Sequence, residues 1–94
     1  MSTVNFSEVL AKVAERGGDP EQVNGDLAPQ LDLMPFTAVQ ALAAAQLRPL
    51  TRCLGLSLGD RACLALGLER GATVLTADSA WASLPAPHRI EVVR

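Results

Sequence analysis

The sequence predicts a mixed α/β fold with helices flanking a parallel sheet, on three observations. Strand-like and helix-like stretches alternate along the chain, which is the pattern of parallel strands joined by helical crossovers. The best-punctuated helix, opening at Ser57 and closing at Gly71, leads directly into Thr73-Val74-Leu75-Thr76. That run is apolar, β-branched and too short for a helix, as expected of a buried parallel strand.

The elements follow in order. Met1 to Val4 reads as a short extended stretch, and Asn5 and Glu8 form a capping pair for a helix with Val9, Leu10, Val13 and Ala14 at helical spacing. Gly17-Gly18 ends it. Asp19 then caps a second helix with Pro20 in its first turn, reaching Leu27 or Ala28. Leu31 to Phe36 alternates early and carries Pro35 late, so it is expected as an edge strand. Thr37 and Gln40 cap an alanine-rich helix to Leu47, which Arg48-Pro49 breaks before a short helical turn over Leu50–Leu54. Ser57 and Asp60 cap the next helix, whose stretch from Ala62 to Leu68 has no charged side chain and is expected to be buried on most sides. Ala80 to Leu84 is one helical turn with Trp81 in the core, and Ile90 to Val93 is a last strand.

Composition narrows the function. Ninety-four residues suit one domain, and 49% apolar residues with a mean hydropathy of +0.22 is high for so small a chain. No apolar run is long enough to span a bilayer and no secretory signal precedes the first helix, so a cytoplasmic location is expected. Cys53 and Cys63 have no partner at metal-ligand spacing and are expected as buried, reduced thiols. A net charge of −2 excludes a generally basic nucleic-acid surface and leaves such contacts to local arginines: Arg48, Arg52 and Arg61. His88 follows two prolines in a loop and is read as exposed, without a catalytic role.

Three acids draw attention. In a parallel α/β sheet, a helix leaving a strand and a helix entering one both begin at the strands' C-terminal edge, where such sheets place their ligands. Glu8 and Asp60 lie in first turns, and Asp78 at a strand tip, so all three are expected on that edge. Converging carboxylates need a compensating cation, and an all-oxygen donor set suits Mg²⁺ or Mn²⁺ and metal-assisted phosphodiester hydrolysis. Each acid also has a plainer reading, Glu8 and Asp60 as caps on the helix dipole and Asp78 as the cap of the turn through Trp81.

Ser-Leu-Gly-Asp-Arg-Ala-Cys-Leu-Ala-Leu at 57–66, Leu-Thr-Ala-Asp-Ser-Ala-Trp-Ala at 75–82 and Val-Asn-Phe-Ser-Glu-Val-Leu-Ala-Lys at 4–12 resemble the PIN-domain family, in particular the VapC-like toxins of bacterial toxin–antitoxin pairs. The resemblance runs from Ser2 to Arg94 in the family's order. It implies a three-layer PIN-like sheet within a single, partial domain over residues 1–94. It further implies a Mg²⁺- or Mn²⁺-dependent endoribonuclease, an antitoxin partner and pairing as a homodimer. By the resemblance Glu8, Asp60 and Asp78 match three of the family's four catalytic and metal-binding acids, and Thr76 matches a polar position that supports the site through its hydroxyl. The family's first strand, central in its sheet and ending in its first catalytic Asp, and the helix after it have no counterpart here. The resemblance therefore implies an N-terminally truncated domain with impaired catalysis. A non-catalytic remnant that keeps an antitoxin-binding or self-association surface is the alternative. A small α/β binding module whose caps only look like a site is a third reading.

Overall fold

Ser2 starts the first helix, earlier than the Asn5–Glu8 pair suggested. Its extended backbone lets the side-chain oxygen accept from the Val4 amide at 3.2 Å, satisfying one of the free N–H groups at the start of α1, Thr3–Glu15. Glu8 thus falls in the second turn, where its Oε1 accepts from Asn5 Nδ2 at 3.3 Å. A computed structural model of the chain describes residues 1–93. It divides into two compact units, Met1–Phe36 and the stretch from Thr37 to the C-terminal end.

In the first unit, Asp19 caps α2, Pro20–Leu27, with Oδ1 accepting from the Glu21 amide at 3.0 Å and Pro20 at the first position, as expected. The two strands expected at Met1–Val4 and Leu31–Phe36 are reduced to one parallel bridge, Ser2 to Met34. The Thr3 amide donates to the Met34 carbonyl at 2.9 Å and the Met34 amide to that of Met1 at 2.8 Å. The ladder stops there for two reasons: Pro35 has no N–H to give, and Ser2 has already turned the other segment into a helix.

The second unit begins with α3, Ala38–Gln46, capped by the Thr37 hydroxyl, which accepts from the Gln40 amide at 3.2 Å. A turn at Leu47 separates it from α4, Arg48–Thr51, with Pro49 in the first turn; a 3-10 segment over Arg52–Leu54 then ends at Gly55. The fifth helix, α5, spans Leu58–Arg70, and Gly71 closes it at φ 59°, a left-handed conformation that residues with a Cβ avoid. From there the chain turns directly into β1, Thr73–Thr76, which pairs in parallel with β2, Arg89–Val92, in the register Val74 to Ile90. Among the described residues the sheet has these two strands, so the fold is mixed α/β, mostly helical, with a small parallel sheet.

The core of this unit is Leu47, Leu56, Leu64, Val74, Trp81 and Leu84, with Leu54, Cys63 and Ile90 packed on it. Trp81 is in the core, as expected. Within α5, Ala62, Leu64, Ala65 and Gly67 are buried, in accord with its uncharged run. Gly67 lets helix and sheet come close together: a Cβ there would lie 2.5 Å from Val74 Cγ2. The strand β1 is less covered than its apolar sequence suggests. Val74 is buried, but Leu75 is 62% exposed, because successive strand residues face opposite sides and only one side carries α5. The expected burial of both thiols also needs correction. Cys63 is half-buried on α5, whereas Cys53 is exposed in the 3-10 segment, a short element that leaves its outer face to water.

Candidate active site

Asp60 occupies the third position of α5 and is half-buried. Its amide donates to the Ser57 hydroxyl at 3.2 Å, and its Oδ2 accepts from the Ser57 amide at 2.9 Å, a complete reciprocal cap. The carboxylate is therefore oriented by backbone at the end of the helix where the dipole favours negative charge. It also helps burial push the Cys63 thiol up, one turn further along, which keeps that sulfur protonated and a poor nucleophile.

Asp78 follows the end of β1 and caps the 3-10 segment Ser79–Ser83. Its Oδ1 accepts from the Ala80 amide at 3.0 Å. Thr76, last residue of β1 and half-buried, accepts with its hydroxyl from the Asp78 amide at 3.1 Å. This turn holds Asp78 by two hydrogen bonds while its side chain stays exposed. In both acids one carboxylate oxygen serves as a cap acceptor and the other remains for a ligand. Each carboxylate is an oxygen donor of the kind that Mg²⁺ and Mn²⁺ take, ions commonly held by one or two carboxylates with water and substrate phosphate completing the shell.

Glu8 is exposed on α1, in the first unit, while Asp60 and Asp78 belong to the second. Among the described residues, no group of three His, Cys, Asp or Glu is placed to hold a metal ion. Of the arginines, Arg48 and Arg52 are exposed. Arg61 is half-buried instead, and its Nη1 donates to the Ala44 carbonyl at 3.0 Å, tying α5 to α3. His88 is half-buried rather than exposed, because it lines a cavity with Leu64, Gly67 and Val74, and this burial lowers its pKa.

The chain matches the PIN domain family over residues 1–87. It belongs to that family. No curated protein and no solved structure matches it. PIN domains are generally nuclease folds that use divalent metal ions and act on RNA. In this PIN domain no helix is long and apolar enough to cross a membrane, among the described residues.

One polar feature of this PIN domain went unnoticed in the sequence. Gln40 on α3 is buried, its Nε2 donates to the Glu69 carboxylate on α5, and its Oε1 has no partner among the described residues. Both residues line a groove with Val39, Ala43, Ala65 and Leu68. A glutamine two positions into a largely apolar helix is the available signal, but its spacing from Thr37 accounts for it as a cap partner.

Proposed function

We propose that this PIN domain is an endoribonuclease of the VapC toxin type that uses Mg²⁺ or Mn²⁺ to hydrolyse RNA phosphodiester bonds. Asp60 and Asp78 hold the ion in this reading, and Glu8 is the third acid. The observation that carries it is the way Asp60 and Asp78 are each fixed by backbone at an element end, with Thr76 steadying Asp78. Because α5 runs through Gly71 straight back into β1, the first turn of α5 and the tip of β1 fall toward the same end of this αβ unit. The bound ion supplies an activated water near neutral pH and positive charge against the phosphate. The chain's own part is to hold the two carboxylates still and to offer the exposed arginines to phosphate oxygens.

The same reading treats the chain as a PIN domain with a three-layer sheet, acting in the cytoplasm and inhibited by an antitoxin protein. A non-catalytic PIN domain that retains a self-association or antitoxin surface is the second reading, favoured by the exposed Val39 and Leu42 on α3.

Incubation of the folded chain with single-stranded RNA and Mn²⁺ or Mg²⁺ decides between them. Metal-dependent cleavage that is lost with chelator and in both Asp60→Asn and Asp78→Asn supports the nuclease. Absence of cleavage, or cleavage unchanged in both variants, overturns it.

A further inference from the structure

The cavity beside His88 lies apart from the candidate active site. It is bounded by the later turns of α5 and by the beginnings of β1 and β2. Asp60, in the first turn of α5, is about 16 Å of helix away from Gly71. The cavity measures about 140 Å³. An apolar protein cavity of about 150 Å³ admits benzene, so this one has room for a single ring.

Its lining has an apolar part and a polar part. Leu64, Leu68 and Val74 make the first, and the small residues Gly71 and Ala72 leave space unfilled: a Cβ on Gly71 would meet nothing within 4 Å. His88 and Arg89 make the second. Nearby backbone donors are already used. The Gly71 and Ala72 amides donate to the Leu68 and Gly67 carbonyls at 3.2 and 2.9 Å, and the His88 amide donates to the Pro85 carbonyl at 3.1 Å. The side-chain donors are left over. Among the described residues, the half-buried His88 imidazole has no hydrogen-bond partner. Arg89 Nη1 donates to the Gly71 carbonyl at 3.3 Å, but the guanidinium has further N–H groups and, among the described residues, no ion pair.

A ligand that satisfies both parts must be an acceptor at one end and apolar at the other. A carboxylate matches the planar guanidinium fork, and an imidazole presents an N–H to it in either protonation state. A single negative charge suits the place better than two, because the C-terminal end of α5 carries the negative end of the helix dipole. We propose that this cavity is a binding site for a small monocarboxylate with a ring-sized apolar body. Arg89 and His88 take the carboxylate, and the ring lies against Leu64, Leu68 and Val74. The proposal stands independently of nuclease activity.

Titration of the full chain with benzoate, followed by NMR, tests it. The expected result is a saturable shift of the ring protons of His88, the single histidine, and of the Leu64, Leu68 and Val74 methyl groups, with the Asp60 and Asp78 amides unmoved. Arg89 is exposed, so Arg89→Gln should keep the circular dichroism of the wild type while weakening benzoate about tenfold, the loss of one charge-assisted pair. Benzyl alcohol, the same ring without the charge, should bind the wild type about tenfold more weakly than benzoate does and bind Arg89→Gln equally well. Inorganic phosphate, charge without a ring, should leave the methyl groups unmoved. Absence of a saturable shift with benzoate overturns the proposal. Benzoate binding that Arg89→Gln leaves unchanged overturns it too, as does displacement of benzoate by an equal concentration of phosphate.

Discussion

Ser57 and Asp60 exchange hydrogen bonds, the Asp60 amide donating to the Ser57 hydroxyl at 3.2 Å and the Ser57 amide donating to Asp60 Oδ2 at 2.9 Å. The half of the exchange that orients the carboxylate uses the backbone of Ser57, not its side chain. Ser57→Ala should therefore destabilise the protein by about 1 kcal/mol, the usual loss of a helix cap, while Asp60 stays oriented. Urea denaturation measures the first effect. Metal-dependent cleavage measures the second, and should survive in Ser57→Ala while it is lost in Asp60→Asn.

Gly67 is required by packing rather than by backbone conformation. Alanine there would improve helix propensity by about 1 kcal/mol, but its Cβ would lie 2.5 Å from the stiff Val74 side chain. The clash should win, with Gly67→Ala destabilising by a net 1–3 kcal/mol, about the cost of overpacking a filled core. Adding Val74→Ala should give a double variant less destabilised than the two single losses summed, because the clash disappears. Denaturant midpoints of the four proteins provide the cycle.

His88 should titrate below its usual value near 6.5, because burial disfavours its charged form. The unfolded chain then binds a proton more readily than the folded one. Stability from this group is fully present above about pH 6.5 and falls as pH drops from there toward the lowered folded value. The imidazole proton shifts of this single histidine, followed by NMR against pH, give the midpoint directly. His88→Gln should flatten the part of the stability profile just below pH 6.5.

The two cysteines should differ in reactivity. Cys53 is exposed, whereas Cys63 is half-buried and its thiol is pushed up by burial and by Asp60. Because the thiolate is the reacting species, iodoacetamide near neutral pH should label Cys53 first and Cys63 slowly. Peptide mass spectrometry of a labelling time course reads this. Asp60→Asn should speed the labelling of Cys63, since one of the two causes is then removed.

Local signals proved most legible where one side chain completes a turn of backbone. Asp19 with Pro20, Thr37, Ser57 with Asp60, Gly71 and Asp78 all cap as their spacing indicated, because a cap is satisfied within three or four residues. The parallel pairing of Thr73–Thr76 with the last strand was legible for a related reason: a short apolar run after a capped helix has few other places to go. Asn5 misled because Ser2 supplies a cap three residues earlier, and either residue is a sound cap by itself. Leu31 to Phe36 misled because alternation describes one strand, whereas a ladder needs two, and its partner segment is helical from Thr3.

By itself, the sequence determined most helix ends and the membership of strands β1 and β2. Those features depend on neighbouring residues and on residue chemistry. Only the tertiary structure decided which surfaces are covered. It tied Arg61 to the Ala44 carbonyl, set Gln40 against Glu69, pressed Gly67 onto Val74, and left Leu42 and Leu75 in solvent. Each of these depends on which element packs where. Periodicity states that a residue is apolar and on which face it lies, but burial is a relation between two elements distant in the chain.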